Sequence, residues 1–235
     1  MPGDNRRSFE EDIYVRFKQN IFKRQNRAAL WWWLKFLFLP YTFDTYPCLF
    51  PRNPNLLSGD ITPNYYFLKL DMIQQLSQYN PNIRIMLILR NPVERAWSYT
   101  RMDISGCLQK PFDDISYSEF AQYFDRLHCW WKPYLHSIRV WKEHFQQVYV
   151  GYFDALQENP YRFYEQICDF LGIDSSDSPQ NLKQVVYRGR VAVLPLELRK
   201  YLNRQYTTEI RELAEWSNGP YPEKWLKEIE QERSP

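Results

Sequence analysis

A chain of 235 residues with 44% hydrophobic content is long enough for one substantial α/β domain and too short for two full ones; a domain of this size buries roughly 70–75% of its unfolded surface. Lys and Arg number 30 against 28 Asp and Glu, a formal charge of +2, which argues against bulk nucleic-acid binding and requires any anion site to be local. Aromatic residues reach 18%, with nine Trp and 18 Tyr, a composition that suits a carbohydrate or adenine surface and equally a heavily packed core.

The opening 20 residues are charged throughout, unlike a cleavable signal peptide. Residues 8–27 have helical spacing in Ile13, Phe17, Ile21 and Phe22. The apolar stretch 28–39, with Trp31, Trp32 and Trp33, contains Lys35, is too short to span a membrane, and is stopped by Pro40. With Lys23, Arg24 and Arg27 before it, the stretch could lie on a membrane surface. A buried helix or the lining of an acceptor groove is the favoured reading. A cytoplasmic or membrane-peripheral location is expected.

A Pro-rich connection, Pro47 to Pro54, leads to Leu56-Leu57-Ser58-Gly59-Asp60-Ile61-Thr62-Pro63-Asn64-Tyr65-Tyr66. Asp60 before a Thr-Pro turn is a conceivable acid or base, although such residues more often accept a local hydrogen bond. Residues 67–79 read as helix. The most informative run follows: Ile85-Met86-Leu87-Ile88-Leu89-Arg90-Asn91-Pro92-Val93-Glu94-Arg95-Ala96-Trp97-Ser98-Tyr99. Residues 85–89 are continuously apolar, as in a parallel strand covered on both faces. Asn91 as N-cap, Pro92 at the first helical position and Glu94 three residues after the cap predict a helix opened by a capping box. Arg90 is thereby left at the carboxyl edge of a sheet beside a helix N-terminus, where open α/β folds take anionic ligands. Ser98 lies on a flank of the same helix, three residues after Arg95 and four after Glu94.

Amphipathic helices are expected at 117–127 and at 134–145, the latter with Leu135, Ile138, Trp141 and Phe145 on one face. A strand from Val148 leads into a helix start near Phe153, and Gly172 reads as a helix C-cap. Tyr187-Arg188-Gly189-Arg190 puts a glycine between two cations, which lets backbone N–H groups as well as side chains approach an anion. Terminal helices are expected at 196–216 and 222–232. Cys48, Cys107, Cys129 and Cys168 form no Cys-x-x-Cys pair, so no structural zinc is expected. Cys168 reads as core, whereas Cys107 and Cys129 could be bridged in an oxidising compartment. His128, His136 and His144 drift by about 80° per step round a helix and look incidental.

The run from Arg90 to Tyr99 resembles the 3′-phosphate-binding segment of sulfotransferases that use 3′-phosphoadenosine 5′-phosphosulfate (PAPS), especially the glycan and heparan sulfate type with its Arg-Asn/Asp-Pro-x-Glu-Arg-Ala-x-Ser-x-Tyr pattern. The resemblance implies an α/β fold with a P-loop-NTPase-like parallel sheet flanked by helices. It implies PAPS as co-substrate, no metal, and a hydroxyl acceptor such as a carbohydrate. It assigns Arg90 and Ser98 to the 3′-phosphate, and Arg188, Gly189 and Arg190 to the basic loop that closes over it. An Arg–phosphate contact is charge-assisted and directional, so Lys would be a poorer substitute. The segment at Asp60 resembles the family's Gly-Glu-x-Thr-Pro-x-Tyr block, with Asp60 in place of Glu and Ile61 where several heparan sulfate enzymes carry Lys. Phe170-Leu171-Gly172 matches the family's Phe-Leu-Gly.

None of the seven glycines belongs to a Pro-Lys-x-Gly-Thr-Thr element of the kind that cradles a 5′-phosphosulfate, so the chain is expected to be N-terminally incomplete relative to the family. The family's usual Glu base has no counterpart to carry over; Glu10 or Glu11 would be a guess. The expected organisation is a single sulfotransferase-like domain: a divergent helical region 1–55, a recognisable core 56–200 and C-terminal helices 201–235. A truncated enzyme is the first reading. A non-catalytic relative that binds nucleotide or a protein partner, with the Trp31 to Trp33 cluster as a contact surface, is the alternative.

Overall fold

The computed structural model describes residues 27–40, 42–50, 53, 55–128, 131–184 and 193–232, which fall into two compact units divided after Pro63. The first holds helix α1, Arg27–Phe38, and a short 3-10 turn, Tyr46–Leu49. Of the two favoured readings of the aromatic stretch, a buried helix or the lining of an acceptor groove, the structure corrects the first: Trp31 and Phe38 are 63% and 78% exposed. Among the described residues of this unit, α1 packs on the short turn Tyr46–Leu49, which cannot cover an apolar helix on all sides. The helix expected over 8–27 lies, apart from Arg27, outside the described residues.

The second unit is α/β and mostly helical. In chain order it contains α2 Leu70–Tyr79, β1 Ile85–Leu89, α3 Pro92–Leu108, α4 Tyr117–His128, α5 Tyr134–His144, β2 Val148–Tyr152, α6 Phe153–Glu158, α7 Pro160–Leu171, α8 Leu196–Ser217 and α9 Pro220–Gln231. The two strands pair in parallel, with Ile85 opposite Val148 and Leu89 opposite Tyr152. Parallel pairing needs a long crossover, and α3, α4 and α5 supply it.

Strand β1 alternates in burial. Leu89 is buried on the face that carries Ile85 and Leu87, while Met86 and Ile88 on the other face are exposed. The expectation of a strand covered on both faces is therefore corrected: a continuous apolar run does not distinguish a strand covered twice from one covered once. Ile85 and Leu87 pack beside a small cluster of Ile73 from α2 with Trp141 and Phe145 at the end of α5.

The main core lies among the helices. Helix α8 runs through it, with Leu202, Tyr206, Ile210 and Leu213 fully buried against α3, α4, α5 and α9. Burying one such aliphatic or aromatic side chain is worth about 1.5–3 kcal/mol, so this helical stripe is the main source of cohesion. Trp97 of α3 meets Phe112 edge-on at 5.2 Å, and Cys168 is fully buried, as its apolar surroundings predict. Gly172 ends α7 at φ 63°, a left-handed position where a side chain would be strained. Cys107 is exposed; its suggested partner Cys129 lies outside the described residues.

Candidate functional site

The parallel register sets both strand ends at one edge, so the residue after Leu89 stands beside the residue after Tyr152. The Arg90 guanidinium accordingly lies over the Phe153 ring, 5.5 Å from its centroid. The backbone here is held firmly. Asn91 caps α3 by accepting the Val93 N–H at 2.9 Å, and the Tyr134 hydroxyl donates to the Arg90 carbonyl at 3.0 Å. Arg90 lines a cleft of about 440 Å³ together with Glu94, Asp154, Arg199, Glu228 and Glu232.

The cleft carries both signs of charge. Glu94 lies 3.9 Å from Arg90 and 3.8 Å from Arg199. Asp154 accepts from the Trp225 indole at 3.1 Å and lies 3.9 Å from Lys224. Burial raises the pKa of Glu228, the Lys224 charge opposes that shift, and the negative charge of Asp154 adds to it. Only half of the expected capping box forms. Asn91 caps the helix, whereas the Glu94 carboxylate turns to the two arginines, whose full charges attract it more than a backbone N–H does.

Ser98 follows Glu94 by one turn on α3 and is partly buried. Asp60 belongs to the first unit, where its carboxylate accepts from the Tyr46 hydroxyl at 2.7 Å. Arg188, Gly189 and Arg190 lie outside the described residues, as do Glu10 and Glu11. Among the described residues no group of three His, Cys, Asp or Glu side chains is placed to hold a metal ion.

Sequence reading passed over Arg95. Its guanidinium lies over three rings, 4.1 Å from the centroid of Tyr134, 4.7 Å from Trp131 and 5.3 Å from Tyr66. Its Nε and Nη2 are buried without hydrogen-bond partners among the described residues, as are the Tyr66 hydroxyl and the Ser137 hydroxyl. Glu209 accepts the Tyr134 N–H at 3.0 Å; burial raises its pKa, and that bond and the Arg95 charge oppose the rise. His128, placed 3.2 Å from the Tyr206 hydroxyl, is held below the ordinary histidine range by burial and by the Arg95 charge. This nest fixes Tyr134, and Tyr134 fixes the Arg90 carbonyl. The one sequence signal was Arg95 itself, a cation next to buried Ala96 and Trp97.

A parallel strand that ends on an arginine, a capped helix starting at once, and a mixed-charge cleft at that edge define an α/β protein with a guanidinium at the carboxyl edge of its sheet. The family model for the sulfotransferase domain matches residues 68–191, just over half of the 235 residues. The chain belongs to the sulfotransferase family. Among solved structures, a sulfotransferase from Alicyclobacillus acidocaldarius is similar at 20% identity and a TM-score of 0.49, over 66% of this chain and 63% of that one. The chain thus spans less than two thirds of that protein's length. A search of curated proteins found no match. No helix among the described residues is long and apolar enough to cross a membrane.

Proposed function

We propose that the protein takes part in PAPS-dependent sulfuryl transfer to a hydroxyl of a glycan or other acceptor. On this reading Arg90 and Ser98 hold the 3′-phosphate of the nucleotide, with Arg188, Gly189 and Arg190 closing over it. The observation that carries the reading is Arg90. It stands at the carboxyl end of a parallel strand, on an anchored backbone, with its side chain 39% exposed in a cleft and its ion pair to Glu94 as long as 3.9 Å. A charge-assisted hydrogen bond closes at about 2.7–2.9 Å, so that pair leaves Arg90 with donors for a phosphate.

The nucleotide would supply the activated sulfuryl group. The chain's own residues bind and orient, and in transfers of this kind positioning and charge account for most of the rate. Asp60 stays the candidate acid or base.

Thermal unfolding with 3′-phosphoadenosine 5′-phosphate tests the assignment. At a hundredfold excess over Kd, linkage adds about 2.7 kcal/mol, a rise of roughly 5–10 °C for a chain of this size. Arg90→Ala is expected to abolish the rise; equal rises in both proteins would remove Arg90 from the site.

A further inference from the structure

The cleft that contains Arg90 contains a second guanidinium, and one carboxylate stands between the two. Glu94 Oε2 lies 3.9 Å from Arg90 Nη2, and Glu94 Oε1 lies 3.8 Å from Arg199 Nη1. The two oxygens of one side chain thus face two cations that arrive from different elements, Arg90 from the end of β1 and Arg199 from the first turn of α8. Arg199 is steadied from behind. Its Nε lies 3.6 Å from Glu232 Oε1, and the other Glu232 oxygen accepts from Asn203 Nδ2 at 2.8 Å.

Both pairs to Glu94 are longer than hydrogen bonds, and all three side chains are about one third exposed: 39% for Arg90, 37% for Glu94 and 32% for Arg199. Ion pairs of that length and exposure are weak and readily exchanged. A phosphate monoester has what the carboxylate lacks: a charge near −2, and enough oxygens to accept from two guanidinium forks at once. The remaining acids of the cleft oppose it less than their number suggests. Asp154 is engaged by Trp225 and Lys224, Glu232 by Arg199 and Asn203, and burial disfavours the charged form of Glu228.

We propose that Arg90 and Arg199 form a two-guanidinium clamp for the phosphate monoester of the ligand, and that Glu94 is the resident carboxylate which the phosphate displaces. The proposal rests on the reading of Arg90 given above and adds to it a second binding residue and a built-in competitor. Glu94 sits one helical turn from Asn91, so its side chain can rotate away while the cap of α3 stays formed.

Calorimetric titration of the full chain with 3′-phosphoadenosine 5′-phosphate, and with adenosine 5′-phosphate as the ligand lacking the 3′-phosphate, tests the clamp. Arg199→Ala is expected to weaken the bisphosphate about tenfold, the size of one lost charge-assisted contact. Arg199→Lys recovers only part of that, and the monophosphate is unaffected by either change. Glu94→Gln, which keeps the shape and removes the competing charge, is expected to tighten the bisphosphate several-fold. A gain in affinity cannot arise from misfolding, so that arm holds even if Arg199→Ala folds poorly. If Arg90→Ala abolishes binding while Arg199→Ala binds as the wild type does, or if Glu94→Gln weakens binding, the clamp is wrong and the Arg90 site stands. A wild-type protein that does not prefer the bisphosphate overturns both.

Discussion

Arg95 sits among groups whose energies oppose one another, and Arg95→Met separates them. The three rings at 4.1, 4.7 and 5.3 Å attract the guanidinium, together on the order of 2–4 kcal/mol at a desolvated site. Against this, Nε and Nη2 are buried without well-formed hydrogen bonds among the described residues, at up to about 1–3 kcal/mol each. Met keeps an unbranched stem and offers sulfur–aromatic contacts, so these two contributions nearly cancel. The charge does not cancel. Burial raises the Glu209 pKa and the Arg95 charge opposes that rise, so in the variant it climbs further. A folded-state pKa above the unfolded one means that the folded protein holds the extra proton. That stability is present at low pH and is lost as pH rises through the folded pKa. His128 acts in the same direction. Burial and the Arg95 charge lower its folded pKa, which favours the folded state as pH rises, and without Arg95 this gain shrinks. Arg95→Met is therefore expected to lose, between pH 5 and pH 8, on the order of 1–2 kcal/mol more than wild type, or about 2–8 °C in Tm. Thermal unfolding across that range measures it, with Glu209→Gln added to remove the glutamate's share. Parallel pH curves for wild type and Arg95→Met would refute the charge argument.

Asn91→Ala deletes the bond to the Val93 N–H and is expected to cost about 1 kcal/mol in urea unfolding. Gly151→Ala would bring a methyl within 2.8 Å of Tyr149 Cε1 and 3.1 Å of both Ile88 Cδ1 and Phe163 Cε2; overpacking of this kind costs about 1–3 kcal/mol, visible as a lower midpoint with an unchanged denaturant slope. Glu119 is drawn down to about 2 by its bond to Lys110 at 2.6 Å and by bonds from Ser116. A carboxyl titration followed by NMR is expected to show that midpoint in the wild type and a return toward the ordinary glutamate range in Lys110→Met.

What could be read in the sequence was what is local in the chain. The β1–α3 corner is specified within about a dozen neighbours: five apolar residues, a cap, a proline at the first helical position. Its strand limits and cap came out as read, as did the left-handed Gly172. The buried face of α5 was equally legible, because helical spacing alone puts Leu135, Ile138 and Trp141 together. The cleft was not legible beyond Arg90. Glu94 looked like part of a capping box because sequence shows its distance from Asn91 but not Arg199, which arrives more than a hundred residues later on another helix. The Arg95 nest draws on the turn near Tyr66 and on residues from α3, α4, α5 and α8, so no window of sequence contains it. The covered face expected for β1 and the buried alternative for α1 failed for a related reason: composition measures how apolar a segment is, not how many elements are available to cover it.

The two cations of the β1–α3 corner, five residues apart, divide the work of the proposed site. The Arg95 guanidinium is largely desolvated and stacked. It steadies Tyr134, whose hydroxyl holds the Arg90 carbonyl and whose amide is held by Glu209. Arg90 keeps its charge at the cleft, in contact with a carboxylate too distant to close a hydrogen bond. A ligand that meets Arg90 therefore encounters a guanidinium whose backbone is already fixed and whose donors are only loosely engaged. Little ordering remains to be done on binding, which is the condition under which a few charge-assisted contacts yield useful affinity. The same division explains why a helix cap alone could not make the site. The cap fixes where α3 begins, but the Arg90 carbonyl is held from a different helix, and the firmness of that hold depends on a guanidinium that never reaches the cleft.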